Sequence, residues 1–335
     1  STNEMKFIIQ YLIRVLKIKF RMGLMNLIKL LLTMLSNIYV FVKGYQLLMV
    51  LQGHDSAVRG IRFSADDRKI VSASYDCTVR IWDVASGKQL QIFRGHTSSV
   101  FNARFSPDEH TIVSCSVDGT IRFWDVNIGT EIMKLERNFG QIWDVDFSPD
   151  GKYIVSGFKD KTIRLLDIHS GIEMNQLLGH SEGVFSTQFS PDGKMIVSSG
   201  DKIINQWNVE SGEILRRFKG HSDGVTRAKF SPDSKFIVSC SFDNTVQIWD
   251  IKTGIELKIF KEHTDCVDDI QYFPNCQTIV SCSTDRTIQF WNVESGERIQ
   301  TFKKKSDVKC VDVSKNGNKI ISGSNDCKIQ IWGLL

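Results

Sequence analysis

The chain of 335 residues lacks the short motifs that identify many enzymes and metal proteins. It contains no glycine-rich phosphate loop, no Cys-x-x-Cys pair and no set of residues with the ligand spacing of a tetrahedral metal site. Only five prolines occur, all in one repeated turn, so the segments between these turns keep the backbone donors that strands need. We therefore expect neither a cofactor nor a metal, and no catalytic residue stands out.

Eight cysteines are present, but their positions do not indicate a disulfide framework. Cys115, Cys240 and Cys282 share a position that other parts of the chain fill with Ala73 or Gly157. A position shared by alanine, glycine and cysteine selects for small volume. Free thiols are typical of a reducing compartment, so we expect a cytoplasmic protein.

Basic residues are concentrated at the start of the chain. Residues 1–45 carry seven basic side chains and one acidic side chain, a net charge of +6, so the remaining residues carry −2 of the chain's total of +4. A nucleic-acid-binding protein needs clustered Lys and Arg on its folded body. No such cluster is evident, and we expect no nucleic-acid partner.

One pattern recurs seven times with a period of about 42 residues, which indicates a fold built from equivalent units. Each unit ends at one dipeptide position: Trp82-Asp83, Trp124-Asp125, Leu166-Asp167, Trp207-Asn208, Trp249-Asp250, Trp291-Asn292 and Trp332-Gly333. Within residues 53–94, alternation and turn residues predict strands at Val58–Ser64, Lys69–Ser74, Thr78–Asp83 and Gln89–Phe93. Four short antiparallel strands per unit make one blade of a β-propeller.

The order Gly-His, then Ser-x-Asp, then Trp-Asp resembles the WD40 repeat. The resemblance covers roughly residues 46–335 and implies an all-β, seven-bladed propeller. The seventh unit stops before a fourth strand, and residues 46–51 resemble the segments that precede later Gly-His pairs. We predict that residues 46–51 complete the last blade and close the ring, leaving residues 1–45 as a separate leader.

A set of His, Ser, Asp and Trp recurs in five units and looks like a hydrolase triad. An active site is needed once, so five copies favour a structural role, and the WD40 resemblance implies a hydrogen-bonded network. The five sets are His54, Ser74, Asp76, Trp82; His96, Ser116, Asp118, Trp124; His180, Ser199, Asp201, Trp207; His221, Ser241, Asp243, Trp249; and His263, Ser283, Asp285, Trp291.

Two units depart from this set and are expected to rely more on apolar packing. The third has Asn138 in place of His, Phe158 in place of Ser and Leu166 in place of Trp. The seventh has Lys305 at the position assigned to His. Because it also contains the joint of the ring, the seventh blade is expected to open locally before the others.

Positions that vary between units are available for recognition. The WD40 resemblance implies that two of them surround the central opening on one face, and aromatic residues occupy several of them. The predicted partner-binding residues are Arg59, Tyr75, Phe101, Trp143, Lys159, Phe185, Phe242, Asp268 and Asp307, with the two aspartates available to a cation. Aromatic rings beside an arginine are typical of binding hot spots; the alternative is that the rings only pack under neighbouring loops.

The leader has helical periodicity. Lys6, Gln10, Arg14, Lys17 and Arg21 form one polar stripe, and Gly23 separates it from a second stripe that contains Lys29. Residues 5–42 are therefore predicted to form two helices that pack on protein, lie on an anionic membrane or span it. The chain starts at Ser1 rather than methionine, which suggests a piece of a longer protein.

These features favour a non-enzymatic scaffold that binds peptides or proteins on the face around the central channel. One alternative is a membrane-associated regulator targeted by its leader. Another is the recognition module of a larger protein, such as a signalling protein or a ubiquitin-ligase substrate adaptor. An enzyme is the third class, and it would require one histidine of the five to act differently from the rest.

Overall fold

A computed structural model describes residues 44–136 and 140–334, and within these ranges the chain forms strands and turns without a helix. Twenty-eight strands make seven four-stranded sheets. In six blades the four strands follow one another in the chain and pair with their neighbours, and every strand pairing with a described register is antiparallel. The predicted helical leader lies outside the described residues except for its last two positions.

The first strand of each blade lies innermost, because these seven strands contact one another around the ring. They are β2 (Val58–Phe63), β6 (Val100–Phe105), β10 (Ile142–Phe147), β14 (Ser186–Phe189), β18 (Val225–Phe230), β22 (Val267–Tyr272) and β26 (Val308–Val313). The second strands are β3 (Lys69–Ser74), β7 (Thr111–Ser116), β11 (Tyr153–Phe158), β15 (Met195–Ser199), β19 (Phe236–Ser241), β23 (Thr278–Ser283) and β27 (Lys319–Ser324).

The third strands carry the Trp-Asp position. They are β4 (Thr78–Asp83), β8 (Thr120–Asp125), β12 (Thr162–Asp167), β16 (Ile203–Asn208), β20 (Val246–Asp250), β24 (Thr287–Asn292) and β28 (Ile329–Leu334). The outer strands are β5 (Gln89–Arg94), β9 (Glu131–Glu136), β13 (Glu173–Leu178), β17 (Ile214–Lys219), β21 (Glu256–Phe260), β25 (Arg298–Lys303) and β1 (Tyr45–Leu51). The strands of the first unit match their predicted bounds to within one residue.

The ring closes through its earliest strand. The seventh sheet has the order β1-β28-β27-β26, so β1 supplies the outer strand that the last unit lacks. Leu51 is buried in one apolar cluster with Val58 and Trp82 of blade 1 and with Ile331 of blade 7. Burying such a side chain contributes on the order of 2 kcal/mol, so the joint is held by packing as well as by strand pairing. The predicted seven-bladed fold, closed by an N-terminal strand, is confirmed.

The apolar core is divided among the interfaces between neighbouring blades. One cluster joins Val71, Ile81 and Phe93 of blade 1 to Val100 and Trp124 of blade 2. The small-residue position, which Gly323 fills in blade 7 as Ala73 does in blade 1, faces such an interface. A Cβ atom on Gly323 would lie 2.7 Å from Cys310 Sγ and from Val58 Cγ1. Close approach of the next blade therefore explains why this position accepts only small side chains.

Candidate functional site

The five predicted His, Asp and Trp sets each form a hydrogen-bonded chain. In blade 1, His54 Nδ1 lies 2.7 Å from Asp76 Oδ2, His54 Nε2 lies 2.7 Å from Ser72 Oγ, and Trp82 Nε1 donates to Ser72 Oγ at 2.8 Å. The carboxylate accepts from Nδ1–H, which leaves Nε2 to accept the serine proton. A single neutral tautomer of His54 is thus compatible with all three of these hydrogen bonds.

The serine in this chain is not the one that the sequence predicted. Ser74 lies on the same face of β3 as Ser72 but at the strand end, where it donates to Ser56 O and accepts from the Asp76 backbone N–H. The prediction of Ser74, Ser116, Ser241 and Ser283 as network members is therefore wrong. The structure places Ser72, Ser114, Ser239 and Ser281 there instead.

Blade 4 departs differently because its turn is one residue shorter. Its network serine is Ser198, which lies 2.7 Å from His180 Nε2 and accepts from Trp207 Nε1 at 2.8 Å. The predicted residue, Ser199, faces Ile204 in the register position that Ala73 occupies opposite Val79 in blade 1. Its buried hydroxyl has no hydrogen-bond partner within the described part of the chain.

The chemistry of these sets suits structure rather than catalysis. The Ser72 side chain is fully buried and is engaged by both His54 and Trp82. Burial opposes ionisation of Asp76, but hydrogen bonds from His54 and Thr78 outweigh it and hold the pKa of Asp76 well below its usual range. Burial also lowers the pKa of His54, against the effect of Asp76. An ionised Asp76 and a neutral, buried His54 fix the turn geometry of the blade.

The third blade keeps only part of this arrangement. Leu166 replaces the tryptophan and is buried, and Phe158 is buried near Arg164. Ser156 occupies the network position but donates to Asp144 O at 2.8 Å. Asn138 lies outside the described residues.

In the seventh blade, Lys304 rather than Lys305 occupies the histidine position. Its Nζ lies 4.8 Å from the centroid of the Trp332 ring. Trp332 Nε1 donates to Ser322 Oγ at 3.2 Å. Lys304 stands 18 residues before Ser322, as His54 does before Ser72. The assignment of Lys305 to this position is wrong, because the one-residue deletion lies before the histidine position and not in the first strand after it.

Six of the nine residues predicted to bind a partner lie together on one face. A concave seat at the start of the inner strands is lined by Arg59, Phe101, Trp143, Phe185, Thr226, Arg227, Phe242 and Asp268. Its volume is about 60 Å³, well below the several hundred Å³ typical of small-molecule pockets. Such a seat suits one side chain of a larger partner. Tyr75 borders Phe101, whereas Lys159 and Asp307 do not line the seat.

The aromatic side chains form a nearly continuous surface across four blades. Trp143 and Phe185 are stacked with centroids 4.8 Å apart and an interplanar angle of 12°. Phe242 meets Phe185 edge-on at 5.6 Å and is 39% exposed. A Cβ atom on Gly183 would collide with the Trp143 ring, so the loop below the ring requires glycine. The rings pack on that loop and on one another, and Phe242 keeps an exposed edge.

Arg59 lies between the aromatic half of the seat and an ionic half. Its guanidinium lies 5.5 Å from the centroid of Phe101 and 5.9 Å from that of Tyr75. It also pairs with Asp268 at 3.1 Å. The contact links blade 1 to blade 6 and fixes the arginine against the rings.

The prediction that Asp268 and Asp307 are available to a cation is wrong. Asp268 is already held by Arg59, by Lys309 Nζ at 3.2 Å and by Thr284 Oγ1 at 2.8 Å, and its side chain is only 8% exposed. Asp307 accepts from Asn325 Nδ2 at 2.9 Å and lies 3.7 Å from Arg286 Nε. Both carboxylates therefore have cationic or amide partners from the protein itself.

Sequence reasoning missed a buried charge network below the seat. Asp269 Oδ1 lies 2.8 Å from Lys229 Nζ and 3.8 Å from Arg227 Nε, and Asp269 Oδ2 lies 3.5 Å from Arg62 Nη1. Burial lowers the pKa of Lys229 to about 8, partly offset by Asp269. Burial disfavours the charged form of Asp269, but Lys229 and Arg62 outweigh it and lower its pKa. In the sequence, this network is indicated only by charged residues at alternate positions of the predicted inner strands, such as Arg227 and Lys229.

Within residues 44–136 and 140–334, no group of three or more His, Cys, Asp or Glu side chains is placed to hold a metal ion. In the same ranges there is no helix with the length and apolar character needed to cross a bilayer. The predicted membrane association of residues 5–42 lies outside the described residues. All eight cysteines are free thiols.

Comparison with known proteins agrees with this architecture. The family profile described as "WD domain, G-beta repeat" matches residues 45–83, 87–125 and 129–167. A second profile, described as "IFT122 first beta-propeller", matches residues 183–333. Together they cover parts of every blade.

Similar curated proteins align over short segments. Human WD repeat-containing protein 88 is 50% identical over 38 residues, which are 11% of this chain and 8% of the relative. Pre-mRNA-processing factor 17 of Saccharomyces cerevisiae is 37% identical over 51 residues (15% and 11%). Nuclear distribution protein nudF of Emericella nidulans is 46% identical over 46 residues (13% and 10%). The chain thus spans about a tenth of the length of these relatives. The repeats, the ring of seven blades and the matching profiles show that the chain is a WD40-repeat β-propeller.

Proposed function

We propose that this propeller is a non-enzymatic scaffold that binds a peptide segment of a partner protein at the seat formed by Phe101, Trp143, Phe185 and Phe242. WD40 propellers generally bind other proteins, which supports the class of function. The observation that carries the proposal is the cluster of aromatic rings, drawn from four consecutive blades, around one concave seat.

The geometry of the seat favours an apolar or aromatic anchor side chain. The rings are prearranged by stacking and by the contact between Trp143 and Gly183, so little side-chain freedom is lost on binding. Arg59 is held at the edge by Asp268, where it can contact a polar group of the same peptide. An anchor side chain that rests on the rings would form the centre of the interface, with polar contacts around it.

The test is affinity capture followed by mass spectrometry, with wild type beside a Phe101→Ala/Trp143→Ala variant. The variant should lose specific partners, with captured amounts falling about tenfold or more. Leu215→Ala on an outer strand is the matched control, because Leu215 is also an exposed apolar residue. Thermal melts should show that each protein is folded. An unchanged partner set in the folded double variant would refute the site.

A cytoplasmic location is also proposed, supported by the eight free thiols. Fractionation of cells that express the full sequence tests this. Recovery in a membrane fraction, lost on deletion of residues 1–43, would instead favour the membrane-associated alternative.

A further inference from the structure

The aromatic seat has an ionic side as well as an aromatic side. Arg59 and Asp268 line it together with Phe101 and Trp143. The Arg59 guanidinium lies 5.5 Å from the centroid of Phe101, so a cation and an apolar surface meet within one hollow of about 60 Å³. A ligand that fills the seat therefore meets a positive charge beside the rings.

The guanidinium of Arg59 has donors to spare. Its Nη1 donates to Asp268 Oδ1 at 3.1 Å, and this is its one hydrogen bond to a residue within 44–136 and 140–334. Its Nε is buried and has no acceptor in the same ranges. Its Nη2 also has none there, but that nitrogen is not enclosed by protein. Because a guanidinium carries five N–H donors, Arg59 can bind a further acceptor.

The carboxylate that pairs with Arg59 is shared with other cations. Asp268 accepts from Arg59 Nη1 at 3.1 Å and from Lys309 Nζ at 3.2 Å. Lys309 Nζ also lies 4.0 Å from Asp307 Oδ2, and Asp307 Oδ1 lies 3.7 Å from Arg286 Nε. The charges alternate along this chain, which has three cations, two carboxylates and so one surplus positive charge. Arg59 is the end of the chain that lies at the seat.

The other charged residues of the seven inner strands do not cancel this surplus, because they balance among themselves. The four cations are Arg62, Arg104, Arg227 and Lys229, and the four carboxylates are Asp144, Asp146, Asp269 and Asp312. Ion pairs join most of them. The ionic side of the seat is therefore complementary to an anionic group.

We propose that the seat takes the C-terminal residue of a partner protein, with its apolar side chain against the rings and its terminal carboxylate on Arg59. This inference rests on the proposed function, because it names the part of the peptide that the aromatic seat binds. Arg59 donates to the carboxylate through Nη2, in a charge-assisted hydrogen bond.

The size of the seat favours a chain end over an acidic residue inside a peptide. In a C-terminal residue, the carboxylate and the side chain are attached to the same Cα, so one residue supplies both groups to a hollow of about 60 Å³. An internal aspartate or glutamate would be a second residue beside the anchor. The peptide would then also have to leave the seat in two directions.

Matched small probes test the role of the charge. N-acetyl-leucine, which has a free carboxylate, is titrated into the full chain by NMR beside N-acetyl-leucine amide, which has the same side chain and no charge. The acid should bind saturably and the amide about tenfold more weakly, as expected when one charge-assisted hydrogen bond is lost. N-acetyl-aspartyl-leucine amide carries its charge on an internal side chain and should bind more weakly than N-acetyl-leucine.

Two variants should shift the affinity for N-acetyl-leucine in opposite directions. Arg59→Gln should weaken it about tenfold and leave the affinity for the amide unchanged. Asp268→Asn removes a competing negative charge, so the acid should bind severalfold more tightly. Lys159→Gln is the matched control, because Lys159 is an exposed cation that does not line the seat. It should change the affinity by less than about twofold.

The outcomes separate this inference from the proposed function. If both leucine probes bind equally and Phe101→Ala/Trp143→Ala weakens both, the seat binds ligands but the carboxylate assignment is wrong. Tighter binding of the aspartyl probe than of N-acetyl-leucine would overturn the choice of a chain end. Absence of saturable binding would overturn the C-terminal assignment alone, since partner capture tests the seat independently. If Asp268→Asn does not fold, the probe comparison and Arg59→Gln still decide.

Discussion

Replacing Lys304 with histidine should stabilise the protein, because it would complete a sixth copy of the hydrogen-bonded network. Ser322 and Asp326 follow Lys304 at the spacings of 18 and 22 residues that join His54 to Ser72 and Asp76. Trp332 already donates to Ser322. Lys304 Nζ is buried and forms no hydrogen bond within the described residues. The native lysine therefore occupies a site built for an imidazole.

The size of the effect follows from three contributions. Burial lowers the pKa of Lys304 from 10.5 to about 8, which corresponds to about 3 kcal/mol, and solvent screening of this partly exposed side chain reduces that to about 1–2 kcal/mol. Two new hydrogen bonds contribute about 1 kcal/mol each. Loss of the cation–π contact with Trp332 costs about 1 kcal/mol. The net stabilisation should be about 2–3 kcal/mol at pH 7.

The pH dependence gives an independent check. The folded-state pKa of Lys304 is below the unfolded one, so the destabilisation by the charged lysine is complete below pH 8 and disappears as pH rises towards 10.5. The advantage of Lys304→His should therefore shrink between pH 8 and 10. Chemical denaturation at several pH values measures it.

Lys305→His is the matched control, because Lys305 is adjacent and exposed. It should change the unfolding free energy by less than about 0.5 kcal/mol. Equal stabilisation by both variants, or destabilisation by Lys304→His, would refute the assignment of Lys304 to the network position.

Two other predictions concern the networks that are complete. Ser72→Ala should lower the free energy of unfolding by about 2–4 kcal/mol, because it leaves the buried Trp82 N–H and His54 Nε2 unpaired. Ser74→Ala should lower it by only about 1 kcal/mol. Urea denaturation measures both losses, and the reverse order would restore the assignment made from the sequence. Acidification should destabilise the fold. Burial opposes ionisation of Asp285, but hydrogen bonds from His263 and Thr287 outweigh it and lower its pKa to about 2, so its contribution, present above about pH 4, is lost as pH falls towards 2. Asp285→Asn should flatten part of that acid-induced loss, and an unchanged profile would contradict the argument.

The fold could be predicted because its signals are repeated. Seven copies of one pattern average out local ambiguity in strand and turn propensities, and the missing last strand is explained by the segment that ends at Leu51. The innermost variable positions could be located for the same reason. Five units place one of these positions five residues after the histidine of the repeat, as Arg59 follows His54, and the other position stands just before the turn aspartate, as Tyr75 precedes Asp76.

The errors arose where neighbouring residues of one type cannot be told apart by pattern. Ser72 and Ser74 lie on the same face of β3, and only the position of the Trp82 indole decides which hydroxyl it reaches. Likewise, Lys304 stands within three consecutive lysines, and the register of the shortened blade had to be known to choose it. Distances between strands, rather than composition, settle both.

The ion pairs of Asp268 and Asp269 could not be predicted from any single unit. Asp268 bonds to Arg59, which is two blades away in the ring, and Arg62 reaches Asp269 across the same interval. Such contacts depend on which residues meet across the channel, and each blade contributes a different one. The repeated pattern predicts the fold, but it does not predict contacts at these positions, because their residues differ between units.

Ion pairs between blades that are not neighbours also connect distant parts of the ring. Arg62 Nη1 lies 3.5 Å from Asp269 Oδ2, and Arg227 Nη1 lies 4.0 Å from Asp144 Oδ2. All four side chains are buried, so removing one charge of a pair leaves the other charge uncompensated. A substitution in one blade is therefore expected to destabilise the fold at a position two blades away.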